Sequence, residues 1–190
     1  MEVQINVPKG FDTESVAEFL TKLKFKNLSF RQSNDATNSA GEPKSTFCID
    51  VIDGQEDLKV KELENFLNGS TCSLLVFNPE AKELDEPKVI FATDHSSRAN
   101  QNLEWFRQLK PAGFSGATVI SEDASGHSAF AIHECTQKFL ERTKKAVQST
   151  QANLIIANFD LTNILRNTSQ ATNLVKLVLQ NQCHVLILKS

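Results

Sequence analysis

An α/β fold built on an open parallel sheet is predicted by three observations. Short, continuous apolar runs recur along the chain, among them Cys72–Phe77, Val89–Ala92, Leu154–Ala157 and His184–Leu188. Runs of this length bounded by turn residues read as strands buried on both faces. Between them lie stretches with apolar residues at helical spacing, such as Val16, Phe19, Leu20 and Leu23, or Ala99, Leu103, Phe106 and Leu109. Strands alternating with helices give βαβ units, which bind ligands at the carboxyl ends of their strands.

Taken in order, Val3, Ile5 and Val7 alternate and give a first strand, broken by Pro8-Lys9-Gly10. Asp12 or Thr13 can cap the helix that follows, because a short side-chain oxygen accepts from the first free backbone N–H groups. Leu28–Arg31 is a short strand. Residues 33–45 hold no large apolar side chain and form a polar loop. Thr46–Ile52 is a strand closed by an Asp53-Gly54 turn. A helix carrying Leu58, Leu63, Phe66 and Leu67 ends at Asn68-Gly69 and leads to the strand Cys72–Phe77.

The acidic stretch 79–87 is bracketed by Pro79 and Pro87 and reads as a linker. Beyond it lies KVIFATDHSS, Lys88–Ser97, a buried strand followed by capping residues and a helix. After the turn at Pro111-Ala112-Gly113 come a strand over Ala117–Ile120, a loop at 121–128 and a helix from Phe130 to about Thr150. Ile132, Cys135, Phe139, Leu140 and Val147 form the inner side of that helix. The strand Leu154–Asn158 follows. A helix with Ala171, Leu174, Val175, Val178 and Leu179 then leads to the last strand, His184–Leu188.

Bulk properties narrow the function classes. Forty per cent apolar content in 190 residues is enough for a true core. The formal net charge of −3 gives no footprint for nucleic acid. Charge is uneven: residues 1–87 carry nine basic and sixteen acidic side chains, whereas 88–190 carry eleven and seven. Two lobes of opposite sign would attract one another. No apolar stretch has the length of a membrane span, and the start lacks the pattern of a signal peptide, so a cytoplasmic location is expected. Cys48, Cys72, Cys135 and Cys183 are not paired as C-x-x-C, and each has apolar neighbours. Reduced, buried thiols are expected, and no metal site, since zinc ligands usually cluster at short spacing.

KVIFATDHSS, ANLIIANFD and SQATNLVKLVLQNQCHVLIL, in this order and spacing, resemble the universal stress protein family. Asp94 closing the first of these strands and the Cys-x-Val-Leu-x-Leu ending at Cys183–Leu188 carry the resemblance, which covers residues 87–190. The first segment resembles a worn copy of the same unit. The resemblance implies a Rossmann-like, adenine nucleotide α-hydrolase-like fold in two degenerate repeats, at 1–78 and 88–190, joined by the linker 79–87. The second repeat is shorter than the family pattern by one strand and one helix. The family often pairs through its last strand, so HVLIL should be covered by the other lobe or by a second molecule.

Nucleotide-binding members of that family hold phosphate in a turn patterned as glycine, two residues, glycine, about nine residues, then glycine and Ser or Thr. Glycine lets the backbone approach a phosphate and point N–H groups at it. Here Asn158 and Leu161 stand at the first two glycine positions and Asn167 or Thr168 at the third. No glycine follows Gly126. In that pattern Leu161 would place a side chain where glycine leaves room for phosphate, and Asp160 would add a repelling charge. The resemblance thus implies a regulatory or adaptor module without catalysis and without ATP, working through a protein partner or as a homodimer, in a stress response or as the cytoplasmic regulatory domain of a transporter. The alternative is an adenine-nucleotide sensor with an unusual site made of Asp94, Ser96, Asn158, Thr168 and Ser169. Asp94 and Ser96 equally suit helix capping. Thr168, Ser169 and Arg166 could hold an anion at a helix start, or serve ordinary capping there.

Catalytic patterns give way to simpler readings. Asp94, His95 and Ser96 are neighbours in sequence, which does not make a triad, because the roles require convergence in space. His127 and His133 lack metal-pair spacing, and His184 reads as structural. Trp105, beside the core residue Phe106, is either an interface residue or a cover for a neighbouring helix.

Overall fold

The computed structural model describes residues 3–23, 25–33, 47–54, 72–81, 88–93, 115–120, 141–158, 180 and 182–188. Eight strands make one sheet: β1 Val3–Pro8, β2 Leu28–Ser33, β3 Phe47–Asp53, β4 Ser73–Phe77, β5 Lys88–Thr93, β6 Ser115–Ile120, β7 Leu154–Asn158 and β8 His184–Leu188. Their spatial order is β2-β1-β3-β4-β8-β7-β5-β6. All neighbours are parallel except β4 and β8, which are antiparallel, with Leu75 opposite Leu186. The sheet therefore has two four-stranded parallel halves of matching order. They meet at one antiparallel seam and share a continuous hydrogen-bond ladder. The α/β fold predicted from the sequence is the fold observed.

Side-chain alternation divides the sheet into two faces. Val3, Ile5, Val7, Ile49, Val51, Leu75, Phe77, Leu186, Leu188, Leu154, Ile156 and Val89 belong to one cluster that crosses the seam. Helix α1, Thr13–Lys22, lies on this face with Val16, Phe19 and Leu20 buried. Positions 16, 19 and 20 fall within one turn of each other, so a single stripe meets the sheet. The choice between Asp12 and Thr13 as cap resolves to Asp12, whose carboxylate accepts from the Glu14 and Ser15 backbone N–H groups. The helix is further supported by an ion pair between Glu18 and Lys22, at 2.9 Å. On the opposite face lie Ile52, Leu74, Val76, Val185, Ile187, Ile155 and Ala157, all buried. Every residue of β4 and β8 is buried, as expected of central strands covered on both sides.

The last strand is internal. The first half covers it through β4, while its other edge pairs with β7. Of the two covers expected from the sequence, the other lobe is the one observed. Asp12 follows a turn in which Gly10 has φ 82°, a conformation open to glycine at no steric cost. Asn27, Gln151 and Gln182 adopt the left-handed conformation without being glycine. Gln151 ends the helical residues 141–150, in which Thr143 and Val147 face inward. Asn153 then fastens three strands. Its side chain accepts from Lys88 N–H at 3.1 Å, its N–H donates to Lys88 O at 3.2 Å, and its carbonyl accepts from His184 N–H at 2.8 Å. Strand β6 begins two residues earlier than the apolar pattern indicated, since Ser115 and Gly116 pair through backbone alone with Lys88 and Val89.

The helices expected around Leu58–Leu67, Ala99–Leu109 and Ala171–Leu179 lie outside the described residues, as do the loop expected at 121–128, Trp105, His95, His127, His133 and Cys135. Of the loop expected at 33–45, Ser33 instead ends β2, two residues beyond the strand read at Leu28–Arg31, and the rest lies outside the described residues.

Candidate functional site

Ligands of open α/β sheets sit where the chain leaves neighbouring strands in opposite directions. Strand β1 lies between β2 and β3, and β5 lies between β6 and β7, so each half has such a switch point. Because the halves run antiparallel across the seam, the two crevices open at opposite ends of the sheet.

The second-half crevice is where the sequence placed its candidates. Thr93, the last residue of β5, is in register with Asn158, the last residue of β7. The chain thus brings the position immediately before Asp94 beside Asn158 at the switch point. Asp94, Ser96, Thr168 and Ser169 lie outside the described residues.

The first-half crevice is bounded by the turn after Pro8 and by Asp53 at the end of β3. The start of α1 points here, but its leading N–H groups are already engaged. Asp12 accepts from Glu14 N–H at 3.0 Å, from Ser15 N–H at 3.2 Å and from the Ser15 hydroxyl at 2.6 Å. These bonds, the Ser15 hydroxyl first, hold its carboxyl below the usual value. An internal carboxylate therefore occupies the place an anion would take. At the end of β3, Asp53 Oδ1 is buried and has no hydrogen-bond partner among the described residues. The adjacent Gly54 N–H donates to Phe77 O at 2.7 Å and ties the ends of β3 and β4 together. The sequence assigned Asp53 to turn chemistry, and nothing in its spacing reveals the buried oxygen.

At the seam, His184 packs against both Phe19 of α1 and Phe77 of β4, with ring centroids 4.1 and 4.7 Å away. Its Nδ1 accepts from the Asn78 N–H at 3.2 Å. Burial pushes its pKa down to about 4, so the ring is neutral at ordinary pH. The structural role read from the sequence is the role observed. Cys183 is fully buried, and its thiol donates to Ala152 O at 2.9 Å. Burial pushes this thiol up to about 12, which leaves it protonated and inert.

The expectation that the cysteines are unpaired thiols is overturned for two of them. Cys48 and Cys72 form a disulfide, with Cα atoms 4.9 Å apart. Their separation of 24 residues hides their proximity. The register of β3 with β4 matches Ile49 to Ser73, which makes the preceding residues lateral neighbours on one face. Asp50, two residues along β3, points the same way and is 6 % exposed. On β1, Gln4 and Asn6 are in register with Cys48 and Asp50. Asn6 Nδ2 donates to Asp50 Oδ1 at 2.8 Å and to Cys48 Sγ at 3.3 Å, while Gln4 Nε2 donates to Asn6 Oδ1 at 3.2 Å. The same register brings donor groups that are far apart in sequence close together in space. One donor atom from each of Cys48, Asp50 and Cys72 lies within 4.8 Å of the others.

No family model matches the chain, and no curated protein does. Among solved structures, a functionally unknown protein from Pseudomonas aeruginosa PAO1 aligns with 99% of this chain and 82% of its own, at 12% identity and a TM-score of 0.44. A candidate universal stress protein from Pseudomonas aeruginosa UCBPP-PA14 aligns over the same shares, at 13% identity and a TM-score of 0.46. Likenesses at these scores carry no argument about activity, and the α/β assignment rests on the strand order and register described above.

Proposed function

We propose that the chain is a non-catalytic regulatory or adaptor module of universal-stress-protein-like plan that acts through a protein partner and does not depend on ATP. The observation that carries this reading is the composition of the segment after β7. Leu154, Ile155, Ile156 and Ala157 of β7 are all buried, yet no glycine follows in the rest of the chain, and Leu161 stands at a sequence position that the family's phosphate-holding turn gives to glycine. The capping of α1 by Asp12 supports the same reading for the first half. So does the placement of His184 and Cys183, the described groups pushed farthest from their ordinary pKa, in core contacts instead of in either crevice. A module of this kind suits a free-standing regulator or the regulatory domain of a transporter. Both edges of β8 are used within the chain, so self-association or partner binding must use another surface.

The alternative reading, an adenine-nucleotide sensor, is favoured by the juxtaposition of Thr93 and Asn158 at the second switch point. Calorimetry on nucleotide-free protein with ATP, ADP, AMP and cyclic dinucleotides, with and without magnesium, separates the two. The adaptor reading expects no heat at millimolar ligand. Micromolar binding that is lost in Asp94→Ala would overturn it and assign the crevice to a nucleotide.

A further inference from the structure

We propose that the Cys48–Cys72 pair is the oxidised state of a redox-gated site for a thiophilic divalent cation such as Zn²⁺, with Asp50 as third ligand. Three features converge on one face of the sheet. Cys48 of β3 and Cys72, the residue just before β4, lie side by side next to the Ile49–Ser73 pair, so reduction leaves two thiols held together by the start of that ladder. Asp50 adds a carboxylate within 4.8 Å of both sulfurs. Two thiolates and one carboxylate, with a fourth position left to water, are a donor set that zinc accepts in tetrahedral geometry. The third feature is the amide support. Asn6 donates to both Cys48 Sγ and Asp50 Oδ1, and Gln4 fixes the orientation of that amide by donating to its oxygen. Such bonds from outside the ligand set orient ligands and stabilise a thiolate. Cys48 is only half-buried, which gives the cation a route in, whereas Asp50 and Cys72 are buried.

The chemistry balances simply. A cellular thiol reductant supplies two electrons, and with two protons the Cys48–Cys72 bond becomes two thiols. Cation binding then releases those two protons as the sulfurs coordinate as thiolates. A two-electron oxidant such as a peroxide, itself reduced to water with two protons taken up, re-forms the Cys48–Cys72 bond, removes both sulfur ligands at once and ejects the cation. Cys183, engaged with Ala152 O elsewhere in the core, takes no part.

Cobalt is the probe. The full chain is reduced with a phosphine, freed of reductant without oxygen and titrated with Co²⁺, and the same protein left oxidised is titrated alongside. The site predicts one Co²⁺ per reduced chain, with a thiolate-to-cobalt charge-transfer band and intense tetrahedral ligand-field bands that Zn²⁺ abolishes. Oxidised protein shows neither. Cys48→Ser removes the band, Cys183→Ser keeps it, and Asn6→Ala weakens binding by roughly 10–100-fold. Should Cys48→Ser fail to fold by circular dichroism, Asp50→Asn replaces it, with weaker binding expected. Reduced wild-type protein that binds no cobalt overturns the proposal. A charge-transfer band that survives in Cys48→Ser, or that is equal in oxidised protein, also overturns it.

Discussion

His184 offers a direct measure of how tightly the two halves are joined. Its ring is 6 % exposed, lies against Phe19 and Phe77, and accepts a hydrogen bond from the Asn78 backbone. None of these contacts titrates, so the fall in its pKa from 6.5 to about 4 reflects burial of the ring. The unfolded chain therefore takes up a proton on this group at higher pH than the folded chain does. Above about pH 6.5 the ring is neutral in both states, and its contribution to stability is fully present. As pH falls through the window between 6.5 and about 4, the unfolded state binds the proton first and stability drops. The gap corresponds to about 3 kcal/mol in full, and to about 2.5 kcal/mol at about pH 4.5. His184→Asn keeps an acceptor close to the position of Nδ1 but cannot titrate. Urea unfolding of both proteins at neutral pH and at about pH 4.5 isolates the effect, since every shared carboxylate cancels in the comparison. Wild-type protein should lose about 2.5 kcal/mol more than the variant. Parallel losses would refute the reasoning and mean that the ring is hydrated at the seam.

Other outcomes follow from particular contacts. Reducing the Cys48–Cys72 bond, which closes a separation of 24 residues, should lower unfolding free energy by about 3 kcal/mol in metal-free buffer, read by urea titration with and without reductant. Gln151→Gly and Gln182→Gly relieve left-handed backbone at φ 53° and 55°, and each should raise stability by about 0.5–1 kcal/mol in the same assay. Cys183 should resist a thiol-specific reagent in native protein and react only on unfolding, because its thiol is buried and pushed up to about 12. Leu186→Ala, at a fully buried position beside the seam, should cost about 2–5 kcal/mol.

The buried strands were legible because apolar runs of four to seven residues leave few alternatives, and β1 from its alternation, but β2 was read two residues short because Gln32 and Ser33 extend the ladder to Val7 and Pro8 without adding an apolar residue. Strand β6 was read short because Ser115 and Gly116 bring no apolar side chain to a ladder that needs only backbone. Hydrophobic pattern shows that β8 is buried but cannot name its neighbours, so its cover by β4 emerged only with the sheet order. Cys48 and Cys72 were misread for a related reason. Sequence spacing measures distance along the chain, whereas parallel pairing makes residues 24 apart adjacent. At the second crevice, Asn158 was legible as a strand end, whereas β5 ends at Thr93, one residue past the apolar run and one before the Asp94 that the resemblance put at its close. Asp53 was read as turn chemistry, and only three-dimensional packing reveals the buried oxygen that has no partner among the described residues.

The seam also sets an order of events during synthesis. Residues 74–76 of β4 wait for partners at 185–187, so more than a hundred residues must leave the ribosome before the ladder can close. Until then the first half presents Leu74, Leu75 and Val76 on an open apolar edge, and strand edges of that kind recruit foreign strands. Closing a loop of this length also slows folding, since the entropic cost precedes the contacts that offset it. A nascent chain stalled before β8 is thus the form most in need of a chaperone, and premature termination there would yield two unsealed half-sheets prone to aggregate.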